Sequence, residues 1–177
     1  PMMIGQHKRN INVVPYRDCW VKLFEQEKDL LVHTLGEEAL QIEHIGSTSI
    51  PGMVAKPVID IMVAVASLTQ AGNLIPKLEV LGYEYRPADT IPERIFFAKE
   101  YIPEHRTHHL NLTAHGSGFW NNQLAFRDYL RAHDQIAIEY GNLKRKLAEV
   151  YSQTNVLDRD GKTEFVAKVL ELAKEES

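Results

Sequence analysis

Asp60 stands alone in the apolar run "VIDIMVAV", about a dozen residues after the pair Gly46-Ser47. Strand side chains alternate, so Val58, Asp60, Met62 and Ala64 share one face, and Ile59, Ile61 and Val63 the other. A carboxylate buried there without a partner is costly. It requires a sheet edge, a cation or a metal, and Lys56 just upstream is one candidate cation. Gly46-Ser47 follows the alternating run "ALQIEHI" and opens a short turn. A glycine there lets a phosphate approach the backbone, and the N–H groups with the Ser47 and Thr48 hydroxyls are donors. The same residues also suit an ordinary capped turn and an ordinary buried Asp–Lys pair.

"RTHHLNLTAH" is the second polar strand pattern. Thr107, His109, Asn111, Thr113 and His115 fall on one face, and His108, Leu110 and Leu112 on the other. If this strand lies beside Asp60, the donor set is Asp60, His109 and Asn111, which can hold an ion such as Mn²⁺ or Zn²⁺. A protonated His109 can equally hold phosphate. The basic residues are Lys56, Arg94, Lys99 and Arg106, with Arg127 and Arg131 one helical turn apart. Together they can bind a polyanion, and singly they suit surface ion pairs. Glu43 is a further carboxylate near the Gly-Ser pair, and "NLKRKLAE" reads as a solvated helix face.

These residues need a frame. The chain has 177 residues and a formal net charge of −4, which suits one globular domain and gives no global attraction to nucleic acid or membrane. A single cysteine, Cys19, fits a reducing cytoplasm. Residues 1–12 read as a disordered or tag-derived tail, and 13–177 as one domain whose part 118–177 is helical. Asp18 is placed to cap a helix carrying Trp20, Phe24, Leu31 and Leu35, which Gly36 ends. Strands follow at "ALQIEHI", "KPVIDIMVAVA", "YEYR", "RIFFAKEYI" and "THHLNLTAH", the last two as a hairpin. A helix is expected over "LTQAGNLIPKLEVLG", and three more after Gly118. The order predicts an α+β domain with a small, mostly antiparallel sheet and a C-terminal helical extension.

The long run "IEHIGSTSIPGMVAKPVIDI" resembles the signature of the GrpB family. "VVPYRDCW", "PERIFFAK", "RTHHLNL", "FWNNQLAFRDYLRAH" and "GKTEFV" resemble it too, from about residue 13 onward. The family is similar to the nucleotidyltransferase superfamily, which implies a minimal nucleotidyltransferase core with added helices. GrpB domains also occur fused to dephospho-CoA kinase, which points to nucleotide or coenzyme metabolism. The superfamily pattern is Gly-Ser followed by an acidic–apolar–acidic triplet. Ile45-Gly46-Ser47 and Asp60-Ile61 match it, but Met62 stands where the second acid belongs. Two carboxylates on one face can hold two divalent ions for phosphoryl chemistry, and a thioether gives Mg²⁺ no oxygen.

Two functions follow. In the first, the protein transfers a nucleotidyl group, with Asp60 and Ser47 catalytic and Mg²⁺ or Mn²⁺ on Asp60, His109 and Asn111. Gly46, Ser47, Thr48, Lys56, Arg94, Lys99, Arg106, His109, Arg127 and Arg131 then bind the substrate. In the second, the fold has lost transfer and serves as a nucleotide- or phosphate-binding module. A phosphoester hydrolase built on His109 and Asn111 is a third arrangement. In each the partner is a nucleotide or another phosphorylated small molecule.

Overall fold

The computed structural model describes residues 4–8, 12–150 and 155–177, with backbone alone over 155–161. Its sheet has six strands: β1 (Gln6–His7), β2 (Gln41–Ile45), β3 (Ile59–Val65), β4 (Tyr83–Tyr85), β5 (Ile95–Ile102) and β6 (His105–Ala114). The order is β2-β3-β6-β5-β4, with β1 on the start of β6. Only β3 and β6 run parallel; the other pairs are antiparallel, as the sequence predicts. Five helices complete the fold: α1 (Cys19–Leu35), α2 (Leu74–Val80), α3 (Gly118–Ala132), α4 (Asp134–Val150) and α5 (Asn155–Glu176).

The alternation in β3 builds both faces. Ile59, Ile61, Val63 and Val65 enter the main core with Leu110 and Leu112 of β6, under Trp20, Phe24 and Leu31 of α1 and Leu74 and Leu78 of α2. Each such side chain, fully buried, contributes roughly 1.5–3 kcal/mol. On the other face Ile45, Met62 and Ala64 pack against Trp120 of α3. A third cluster, Ile50, Met53, Leu130, Tyr140 and Val169, joins the segment after β2 to the helical part.

Three expectations need correction. Asp18 makes no side-chain capping bond, because its own backbone is already helical (φ −58°, ψ −28°). The helix expected over residues 68–82 is a 3₁₀ stretch, Leu68–Asn73, followed by α2. Pro76 then lies in the first turn of α2, where its missing N–H is no loss. Residues 6 and 7, assigned above to a tail, pair with Arg106 and His105. Residues 1–3 and 9–11 of that tail lie outside the described residues.

Candidate functional site

β2 and β3 pair so that Ile45 faces Asp60, with residues 46–58 looping between them. Gly46 follows β2 directly and has φ +74°. A Cβ built on it would lie 2.3 Å from Asp60 Oδ2 and 3.0 Å from Asp60 Cγ. The glycine therefore gives the Asp60 carboxylate room to lie against the turn, and any side chain there displaces it. Ser47–Ser49 then form a 3₁₀ turn.

Thr48 is buried, and its Oγ1 lies 2.9 Å from His44 Nε2. His44 itself stacks on Phe24, centroids 4.7 Å apart. Burial pushes its pKa down to about 4, against the pull of Asp60, so the ring is neutral near pH 7.

Asp60 and His109 are register partners across the parallel β3–β6 pair. His109 Nδ1 lies 3.2 Å from Asp60 Oδ1, and the Asp60 side chain is 32% exposed. On the far side of the ring, Arg106 Nη1 is 3.5 Å from His109 Nε2. A guanidinium only donates, so Nε2 is the acceptor and Nδ1–H donates to Asp60. Asp60 and His109 open into a cleft of ≈ 230 Å³ with Ser47, Thr48, Lys56, Lys144 and Lys162. Lys144 donates to the Val54 carbonyl and is 4% exposed as a residue. Three lysines and one aspartate thus line the cleft among the described residues.

The other candidates disperse. Lys99 lies on the opposite face of the sheet, 2.7 Å from Glu27 Oε1. Arg127 fastens α3 to β2, with Nη1 2.8 Å from Glu43 Oε2 and 3.1 Å from the His44 carbonyl. Arg131 Nε donates to the Ser49 carbonyl at 2.9 Å and so braces the turn from outside. It also lines a larger cleft of ≈ 570 Å³ between Ile50–Val54 and helices α3 and α4, away from Asp60. Arg94 and Arg106 meet over Phe96, beside His109. Lys144 and Lys162 were not expected. Lys144 repeats at helical spacing with the buried Tyr140, Leu147 and Ala148, which marks its face. Lys162 lies inside the "GKTEFV" motif.

The donor set does not fit a pair of divalent ions. Met62 is 0% exposed beneath Trp120. Asn111 points its amide nitrogen at the Ile61 carbonyl, 3.2 Å away. Glu43 is held by Arg127. His109 faces Asp60 with one nitrogen and a guanidinium with the other. Among the described residues no three His, Cys, Asp or Glu side chains converge as ligands.

The family model "GrpB protein" matches residues 10–172, and the chain belongs to that family. It is 35% identical over 171 residues to glutamate-rich protein GrpB of Alkalihalophilus pseudofirmus, covering 95% of this chain and 98% of that one. It is 36% identical to UPF0157 protein YqkA of Bacillus subtilis over 94% of this chain, and spans 48% of that relative's length.

Among solved structures, conserved protein GrpB from Enterococcus faecalis superposes with a TM-score of 0.82 at 36% identity, covering 93% and 98% of the two chains. The Cid1 poly(U) polymerase, bound to MgATP, superposes with a TM-score of 0.50 at 14% identity, over 71% of this chain and 41% of that one. That likeness shows a nucleotidyltransferase-type fold. No helix among the described residues is long and apolar enough to cross a membrane.

Proposed function

We propose that the protein binds the phosphate groups of a nucleotide or another phosphorylated small molecule in the cleft over Gly46, and that its nucleotidyltransferase-type fold serves as a binding module. One observation carries this reading. The place of the second carboxylate is a core methionine packed on Trp120, while Lys56, Lys144 and Lys162 line the cleft with Asp60. The lysines meet phosphate oxygens as point charges, and Ser47 adds a hydroxyl. Asp60 holds His109 in place.

The test is calorimetric titration of ATP, GTP, CTP and UTP, with and without Mg²⁺ or Mn²⁺, repeated on Asp60→Asn. Binding without metal that survives or tightens in the variant supports the module. Binding that requires metal and disappears in Asp60→Asn overturns it in favour of nucleotidyl transfer. No binding of any of the four moves the search to other phosphorylated metabolites.

A further inference from the structure

Four arginines surround the Asp60 sheet face or its turn, and they divide into two kinds. Arg127 is satisfied: its Nε lies 2.9 Å from Asp128 Oδ1, and its Nη1 serves Glu43 and the His44 carbonyl. Arg131 Nε has the Ser49 carbonyl. Arg94 and Arg106 differ. The Nε of each is buried and has no hydrogen-bond partner among the described residues. A buried donor left unpaired costs about 1–3 kcal/mol. Their guanidinium carbons lie 4.9 and 5.9 Å from the Phe96 ring centroid, so the two forks converge from the residue before β5 and from β6 on one aromatic side chain.

Asp89, Glu93, Glu84 and Glu100 all act on this pair electrostatically, and among the described residues the carboxylate that comes within ion-pair reach of it is Asp89. Arg94 donates to the Asp89 main-chain carbonyl, and Arg106 Nη2 is 3.8 Å from Asp89 Oδ2. Burial, then the nearby Arg86, disfavours the charged form of Arg106, against the pull of Asp89, Glu100 and Glu84. Two guanidinium forks that converge with donors unused match the paired oxygens of an oxyanion.

We propose that Arg94 and Arg106 form a second oxyanion subsite, beside His109 and separate from the lysine cleft, that takes a phosphate or carboxylate group. The proposal deepens the phosphate-binding reading by giving the ligand two anionic groups. The two subsites adjoin through the Asp60–His109 pair, since Arg106 reaches His109 Nε2 while Asp60 and His109 both line the lysine cleft. Lys99 belongs to neither subsite.

The experiment is calorimetric titration of inorganic phosphate into the full chain, with acetate in parallel. It uses the unaltered protein, the double variant Arg94→Lys with Arg106→Lys, and Lys56→Gln. Lysine keeps the charge and the stem over Phe96 but removes the fork. Two phosphates per unaltered chain are expected. The double variant keeps one of them, and Lys56→Gln weakens the other by about tenfold. Acetate displacing the arginine-held phosphate makes carboxylate an equal occupant; failure to displace it assigns the subsite to phosphate.

Two phosphates with unaltered affinities in the double variant overturn the subsite and leave the cleft reading standing. A single phosphate lost in the double variant but not in Lys56→Gln supports the subsite and overturns the cleft. No phosphate bound to the unaltered protein overturns both. If the double variant does not fold, Arg106→Lys alone is read in the same way.

Discussion

His108 and His109 are neighbours on β6 and stand on opposite faces of one sheet, and the two environments differ in kind. His108 faces α1. Its Nδ1 lies 2.8 Å from Thr107 Oγ1, and its Nε2 lies 3.8 Å from Glu27 Oε2. Glu27 also takes Lys99 at 2.7 Å and the Tyr83 hydroxyl at 2.8 Å, so one carboxylate satisfies three neighbours. Burial works against the Glu27 charge, but Lys99 first, then His108 and Tyr83, outweigh it and hold the carboxyl below its ordinary value.

His109 faces the cleft, where Asp60 stands against three lysines and Arg106. On the closed face the charges and donors match within the chain. On the open face the Nε donors of Arg94 and Arg106 have no hydrogen-bond partner among the described residues. Matched buried polar groups hold a fold together, whereas donors left unused beside an open cleft can take a ligand.

The largest break in this comparison comes from the closed face. Glu27→Leu leaves Lys99 and the Tyr83 hydroxyl without their shared acceptor, and removing one partner of a buried ion pair costs about 3–5 kcal/mol. Urea unfolding should show a loss of that size, while phosphate binding by the folded variant stays within about twofold of the unaltered protein. A large loss of phosphate affinity would show that the faces are not independent. Met62→Asp comes next. It restores the acidic triplet in name, but position 62 has no exposure and lies under Trp120. The expected result is a stability loss of about 3 kcal/mol with no gain in Mg²⁺ affinity. Calorimetric Mg²⁺ binding that appears only in the variant would contradict this account of the site.

The pH dependence is next in size. Burial pushes His108 and His44 each down to about 4, below the ordinary 6.5. Between those values the unfolded chain takes up a proton at each histidine and the folded chain does not. Stability is therefore full above about pH 6.5 and falls as pH drops toward 4, on the order of 2 kcal/mol per histidine by pH 5. Glu27, held below its ordinary value, adds a loss at still lower pH. Urea midpoints at pH 7, 6 and 5 check the slope, and His108→Asn should remove about half of it, leaving the part due to His44. An unchanged midpoint down to pH 5 would mean that these rings are not held neutral by burial.

Much of the frame was legible because strand alternation is a local property. The alternation in "VIDIMVAV" placed Asp60 and Met62 on one face and the isoleucines in the core. The spacing from Gly46 to Asp60 suggested that they meet, and the glycine's close approach to the carboxylate gives the physical reason. Lys99 was grouped with Arg94 and Arg106 because all three lie on one hairpin. Alternation alone puts it with Phe97, opposite Phe96 and Ala98. Lys144 was missed for a different reason. A charge-rich helix reads as solvated until the apolar residues at its own spacing are followed. The Arg127–Glu43 contact joins α3 to β2 across 84 positions, and no local pattern encodes such a meeting. β1 is two residues long, too short for any periodicity to reveal.

The smallest stability effect belongs to the open face, and it tests the comparison most directly. His109→Gln removes a ring that touches Asp60 and Phe96 but is 26% exposed at its side chain and belongs to no closed network. Its unfolding free energy should change by no more than about 1 kcal/mol, since a partly exposed pair is worth little. His108→Gln, one residue away, disturbs the Glu27 network and should cost clearly more. Binding should respond in the opposite order. Losing the His109 ring frees the Asp60 carboxylate into the cleft, so phosphate binds less tightly, while His108→Gln leaves its affinity unchanged. Urea unfolding and phosphate calorimetry on the two variants settle the matter. Equal losses of stability would erase the distinction between the faces, and equal losses of affinity would remove His109 from the site.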